Sequence, residues 1–382
     1  MEALILGWYI LTATGKVEWL VAFGALMWSG SVFAPFLGIA GDRLGLRALL
    51  CLTRGAYALL AAILTALVLA DALEPWHVFV LYGIAGLFRP SDQALRNVLI
   101  AQTMRPDALV GALGLSRTTA DIAKVAGAFA GAGGVALVGM APAYVIVTAL
   151  YVSAFLLSMG VARSPLQAAH ATAHDVMAGL GEAVHYVWTK PDLLGAFTVA
   201  FLVNLLAYPF DLGLLPYAAK EVYVVGQAGL GYLAAAYAIG ALLGSVVVGA
   251  TRVRLPAGRV MLWSAAAWFL ATLLFGFTRS LPLGLALLFA IGFAQSFCLI
   301  PVAVVMLRGA SEAMRGRVMG MRVLAVWGLP IGVLASGPII VGLGYTACAL
   351  VYSFLGLAAT FALGYRLRQA LWRASAAANA AP

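Results

Sequence analysis

Long apolar runs separated by short polar breaks organise the chain from end to end. Runs such as residues 193–207 and 258–278 are apolar without alternating, which excludes strands with one polar face and predicts helices surrounded by apolar material. Run by run, the pattern predicts spans at 20–40, 48–73, 77–102, 111–138, 143–161, 193–217, 228–250, 258–278, 281–307, 318–341 and 345–367. Crossing about 30 Å of hydrocarbon takes roughly 20 helical residues, so each run is long enough to span a bilayer. The first segment is the exception, because Thr14, Gly15 and Lys16 interrupt it after residue 13. Glu2 stands where a secretory leader would carry basic residues, so the segment does not read as a signal peptide. It reads as the outer half of a first transmembrane helix whose start, with its cytoplasmic tail, is missing from the chain.

Composition turns this pattern into a fold class. With 64% hydrophobic and 10% charged residues and a mean hydropathy of +1.02, a water-exposed surface would be one large apolar patch. A transmembrane β-barrel requires alternating strands of about 10 residues, which the runs are not. The expectation is an all-α membrane protein with about eleven full spans and a partial one, its partner the lipid bilayer. The net charge of +9 does not indicate nucleic acid, because the basic residues sit at the ends of apolar runs rather than in one stripe. Most occupy alternate loops, among them Arg43 and Arg47, Arg252, Arg254 and Arg259, and Arg315 and Arg317, whereas the opposite loops hold only Lys16, Lys220 and Arg279. Positive-inside asymmetry therefore predicts that the former loops and the C-terminus are cytoplasmic. Cys51, Cys298 and Cys348 lie inside apolar runs, without metal or disulfide spacing, and read as packing residues.

One long polar stretch, residues 163–192, divides the chain into an N-terminal helical bundle (1–162), a cytoplasmic linker (163–192), a C-terminal bundle (193–369) and a tail (370–382). Within the linker Val176, Leu180, Ala183, Val184 and Val187 recur at helical spacing, predicting an amphipathic helix on the membrane surface. The halves echo each other: Gly111, Arg117, Ala120 and Gly127 match Gly316, Arg322, Ala325 and Gly332 at one constant offset. Repeated halves point to a transporter with a substrate site near midplane.

Ionisable residues inside spans cost roughly 2.5–3.5 kcal/mol each if they face lipid, so they must face protein or water. Arg117, Asp121 and Lys124 fall on one helical face, where Asp121 can pair with either base. Arg89, Asp92 and Arg96 form a similar face, and the flanking cations favour ionised Asp92. Both sets read as a structural ion pair or as a charged stripe along a transport pathway. Asp211 differs: no base lies within eight positions, and Pro209 and Pro216 interrupt the helix around it. Burial without a cation favours the protonated form, so Asp211 is the proton-coupling candidate; nearness to the outer interface would make it an ordinary surface acid.

The loop Gly38-Ile39-Ala40-Gly41-Asp42-Arg43-Leu44-Gly45-Leu46-Arg47 resembles the signature loop of the major facilitator superfamily, with Leu46 replacing the first of two basic residues. Residues 178–249, with Tyr186, Pro191, Pro216 and the glycine-rich 229–244 run, are similar to the bacterial efflux branch containing the enterobactin exporter and macrolide pumps. So is the 314–337 segment with its Arg315-Gly316-Arg317-Val318 start. Departures are the Gly127–Gly134 stretch without the branch's proline, Asp92 where the branch carries arginine, and no aspartate in the loop near Gly249, Arg252 and Arg254. The resemblance implies a major facilitator fold of two six-helix bundles, with Gly38, Asp42, Arg43, Gly45 and Arg47 locking the bundles in one state. It also implies a cavity lined by Tyr9, Tyr82, Phe88, Arg89, Asn204, Tyr208, Phe210, Gln295 and Phe297.

No phosphate loop, dinucleotide fingerprint, zinc-protease run or serine elbow is present, so neither an enzyme nor a cofactor or metal is expected. The expected function is secondary transport in a bacterial inner membrane: proton-coupled efflux of a small amphipathic compound by a monomer. The alternatives are uptake of an organic solute, or a truncated, transport-inactive membrane partner protein.

Overall fold

The computed structural model describes residues 1–28, 30, 45–103, 109–161, 173–250, 256–311 and 314–373. Every regular element among them is a helix. Two compact units divide the chain, Met1–Val176 with Val225–Gly231, and Met177–Val224 with Tyr232–Pro382.

The first unit contains α1 (Glu2–Thr14), α2 (Val17–Leu26), α3 (Leu46–Leu69), α4 (Pro75–Thr103), α5 (Leu109–Ala128) and α6 (Met140–Met159). Gly15, at φ 66°, ends α1 in the left-handed conformation that glycine adopts without a steric penalty. The predicted span at 111–138 is continuous with a departure inside it: α5 passes into a π-helical turn at Phe129–Gly133 before Gly134–Val138 resumes the α form. The unit's core is built from Ile5, Leu6 and Ile10 of α1 against Phe23, Leu64, Val78, Tyr82 and Tyr144.

The second unit contains most of α7 (Ala173–Thr189), α8 (Pro191–Leu206), most of α9 (Gln227–Ala250), and all of α10 (Ala257–Phe277), α11 (Leu281–Gly309), α12 (Arg315–Ala325), α13 (Gly328–Leu343), α14 (Tyr345–Arg366) and α15 (Arg368–Arg373). The 318–341 run, predicted as one span, is two helices that break between Ala325 and Gly328. Helix α7 lies within the 163–192 stretch, and its Ala183 and Val187 are fully buried. Its end is tied to the ends of α11 and α12. The Ser311 amide donates to the Tyr186 phenol at 3.1 Å, Lys190 Nζ donates to the Gly309 carbonyl at 2.9 Å, and Glu182 pairs with Arg317.

Close helix approaches in this unit depend on missing side chains. A Cβ on Gly240 of α9 would lie 2.0 Å from the Phe289 carbonyl oxygen of α11, and one on Gly292 would lie 2.1 Å from that of Tyr237. Small residues let backbones meet where lipid supplies no hydrophobic drive for helix association.

Seven described helices are long and apolar enough to cross a membrane: Arg47–Leu69, Met140–Met159, Pro191–Gly213, Gln227–Ala250, Ala257–Phe277, Leu281–Gly309 and Tyr345–Arg366. Shorter apolar helices at Glu2–Thr14, Val17–Leu26, Pro75–Phe88 and Gly328–Leu343 accompany them. Exposed Leu212, Leu243, Trp263, Leu274 and Phe354 are the side chains a lipid environment accepts and water does not.

Candidate functional site

The most chemically distinctive site grows from the place where α8 stops being a regular helix. Pro209 has no N–H and cannot donate to the Leu205 carbonyl, so the α ladder is interrupted there. The gap is used by a neighbour: a Cβ on Gly332 of α13 would lie 1.9 Å from that Leu205 oxygen and 3.0 Å from Pro209 Cγ. The chain continues as a wider π turn over Pro209–Gly213, in which the Leu214 amide bonds the Pro209 carbonyl at 2.8 Å. Single π turns of this kind commonly occur at functional positions.

Asp211 projects from this turn and is only 2% exposed. The Trp268 indole N–H of α10 donates to its Oδ2 at 3.0 Å, while Oδ1 is buried with no hydrogen-bond partner among the described residues. A buried, half-satisfied carboxyl without a cation is costly as an anion. Within its own unit the carboxyl is shielded from solvent.

Trp268 is fully buried and meets Tyr208 edge to face, with ring centroids 4.9 Å apart at 80°. Gln295 of α11, 8% exposed, donates through Nε2 to the Tyr208 hydroxyl and accepts from the Tyr237 hydroxyl of α9 at 2.9 Å. Four helices thus contribute to two hydrogen-bonded groups, Asp211–Trp268 and Tyr208–Gln295–Tyr237, joined by the ring contact between Trp268 and Tyr208. Asn204, one turn before Tyr208, donates to its own helix at the Ala200 carbonyl, 2.8 Å away. Phe210 points into packing, between Tyr345 at 5.6 Å and Tyr352 at 5.7 Å. Phe297 is half-buried and stacks on Phe293 at 4.9 Å.

Most of the other sequence-nominated residues belong to the first unit. Tyr9 donates to the Leu73 carbonyl at 2.7 Å, anchoring the chain just before α4. Tyr82 is a core residue stacked on Phe23 at 4.6 Å, and Phe88 is half-buried on α4. Asp121 is buried and paired with Lys124 at 2.9 Å, the lysine side chain being 58% exposed. Arg89, Asp92 and Arg96 lie on α4 and Arg117 on α5, with side chains outside the described residues, and Arg322 is half-buried on α12. Of the signature loop, Gly38, Asp42 and Arg43 lie outside the described residues. Gly45 precedes α3 at φ 85°, a conformation reserved for glycine, and Arg47 reaches the Met159 carbonyl at the end of α6.

Trp268 and Tyr237 of this site, and the partner role of Glu2 in the first unit, were not singled out from sequence. Trp268 sits in an apolar run where a tryptophan reads as packing; the available signal was that Asp211, lacking a base, required some buried donor. Glu2 bonds the Tyr151 hydroxyl at 2.8 Å, a pairing that joins opposite ends of the first unit and leaves no local pattern. No cluster of three His, Cys, Asp or Glu able to hold a metal occurs among the described residues.

No protein-family model matches the chain, and no curated protein matches its sequence significantly. Its likeness to solved structures is extensive. The nucleoside transporter NupG aligns with a TM-score of 0.73 at 17% identity, covering 94% of this chain and 93% of NupG. A D-xylose–proton symporter aligns at 0.68 and 13% identity over 94% of both chains. A bacterial homologue of the human lysosomal transporter Spinster aligns at 0.65 and 15% identity, covering 98% of this chain and 94% of its own. At these identities the likeness establishes architecture. The chain is a multi-pass membrane protein with the major facilitator fold.

Proposed function

We propose that the protein is a secondary active transporter of the bacterial inner membrane. It exports a small amphipathic organic compound in exchange for protons, by alternating access of a monomer whose C-terminus is cytoplasmic. The observation that supports this most directly is Asp211, a carboxyl buried in a membrane helix with one neutral donor and one free oxygen. Such a group is tolerated in a membrane protein where its charge state changes during function. The neighbouring Tyr208–Gln295–Tyr237 chain offers phenol and amide groups beside aromatic surface, the chemistry that orients an amphipathic solute. The chain contains no phosphate-binding loop, so the ion gradient is the energy source.

In this reading Gly38, Asp42, Arg43, Gly45 and Arg47 form the gating loop. The charged sets Arg89–Asp92–Arg96 and Arg117–Asp121–Lys124, with Arg322, line or brace the pathway. Export rather than uptake rests on the sequence similarity of residues 178–249 and 314–337 to efflux transporters. The likeness to a D-xylose–proton symporter favours uptake as a second reading with the same proton site.

The test is proton flux in proteoliposomes loaded with a pH-sensitive dye, challenged with a panel of amphipathic drugs and siderophores under an imposed gradient. At least one compound is expected to evoke proton movement through the wild-type chain and none through Asp211→Asn, which still inserts. Undiminished flux in Asp211→Asn rules out the proton-site assignment, and comparison of right-side-out with everted vesicles assigns direction.

A further inference from the structure

Proton coupling requires that the proton site and the solute site sense each other, and the contacts of the second unit supply a physical connection. Asp211 and Tyr208 lie on the same interrupted stretch of chain but do not bond each other; the Trp268 side chain stands between them. Its N–H is on Asp211 Oδ2 at 3.0 Å, and its ring meets the Tyr208 ring at 4.9 Å and 80°. The Tyr208 hydroxyl is held by Gln295 Nε2, whose Oε1 is held in turn by Tyr237 at 2.9 Å. Trp268 is fully buried, so a change in its hydrogen bond has to be accommodated by the rings packed against it.

The groups around Asp211 leave the indole as the main respondent. Facing it from α14 are Tyr345, in electrostatic contact with Asp211, and beyond it Cys348 and Tyr352. Tyr223 and Arg279 act on Tyr345, and Arg279 donates to Thr346 at 2.9 Å. Lys220, further along the same segment, pairs with Glu221 at 3.8 Å. From α13 the π turn meets Val333, and from α10 it meets Trp268. The indole is the donor seen on the carboxyl, and a carboxylate holds such a donor about twice as strongly as a neutral acid.

We propose that Trp268 is the positioning residue that transmits the proton occupancy of Asp211 to the Tyr208–Gln295–Tyr237 hydrogen-bond chain. An ionised Asp211 draws the indole N–H toward the π turn, and a protonated one releases it. The ring then shifts against Tyr208 and resets the hydroxyl that Gln295 holds. This rests on the reading of Asp211 as the proton site.

The test needs no solute: infrared difference spectra of the full chain in liposomes, taken between about pH 5 and about pH 9 so that carboxyl groups in the working range titrate. The wild type is expected to show a carboxyl C=O band lost in Asp211→Asn and a tyrosine ring band lost in Tyr208→Phe. Trp268→Phe is expected to keep the first and lose the second. Retention of both bands in Trp268→Phe overturns the relay alone; absence of any Asp211 band in the wild type overturns the proton site and the relay together. The wild-type spectra decide the matter even if Trp268→Phe fails to insert. The carboxyl and Tyr208 bands must titrate at one midpoint, and separate midpoints overturn the proposal.

Discussion

The crossing of α9 over α11 makes Gly240 a position where a single methyl group does measurable damage. In Gly240→Ala the new Cβ would start 2.0 Å from the Phe289 carbonyl oxygen, 2.8 Å from its carbonyl carbon and 3.0 Å from its Cα. All three are backbone atoms, which no rotamer change can move aside. Relieving the overlap requires the helices to part by about 1 Å, a forced backbone shift that costs about 1–3 kcal/mol. Tyr237 lies one turn before Gly240, and its 2.9 Å bond to Gln295 would stretch past hydrogen-bonding range, adding about 0.5–1.5 kcal/mol. The combined loss is about 1.5–4.5 kcal/mol, a large fraction of a domain's stability. Gly249 on the same helix is the control, since a Cβ there meets nothing within 4 Å. Gly249→Ala is expected to be neutral or to gain up to about 1 kcal/mol from helix propensity. Thermal unfolding in detergent should rank Gly249→Ala at or above wild type, with Gly240→Ala well below. Equal midpoints for the two variants would refute the close-approach argument.

Two further expectations concern single polar groups. Thr272, one turn beyond Trp268 on α10, is fully buried with its hydroxyl unpartnered among the described residues. Thr272→Val keeps the branched shape and removes that burden, so thermal unfolding should show no loss and a gain of up to about 1 kcal/mol; a loss above about 2 kcal/mol would mean the hydroxyl is bonded. At the end of α7, hydrogen bonds from Lys190 and Ser311 lower the Tyr186 phenol from 10.0 to about 8. A lowered acid contributes stability that is complete above its unfolded value of 10.0 and fades as pH falls through about 8. Hydrogen exchange at the Ser311 amide, corrected for intrinsic base catalysis, should therefore slow as pH rises through that window, and Tyr186→Phe should abolish the trend.

The apolar runs carried most of the architecture in the sequence, because transmembrane helices satisfy their backbone internally and need only length and hydrophobicity. Deviations from regular helix were less legible. Pro209 announces an interruption, but not that Gly332 from a distant helix fills it. The Ala325–Gly328 break has no proline, and the apolar pattern runs straight through it. Residues at the α9–α11 crossing could be suspected from glycine content, yet which glycine faces which carbonyl is a tertiary fact.

Asp121 and Asp211 show how far local reading of charge extends. Both are acids in apolar helices, and sequence separates them by one criterion, the presence of a base within reach on the same helix face. Asp121 has Lys124 at 2.9 Å, with a side chain long enough to keep its ammonium end in an exposed position; a counter-charge of this kind offsets the cost of burying the acid. Asp211 has no such neighbour, and the structure supplies an indole from another helix instead. A neutral donor stabilises an anion far less than a cation does, and the second oxygen has no partner among the described residues, so the ionised form is costly where Asp211 sits.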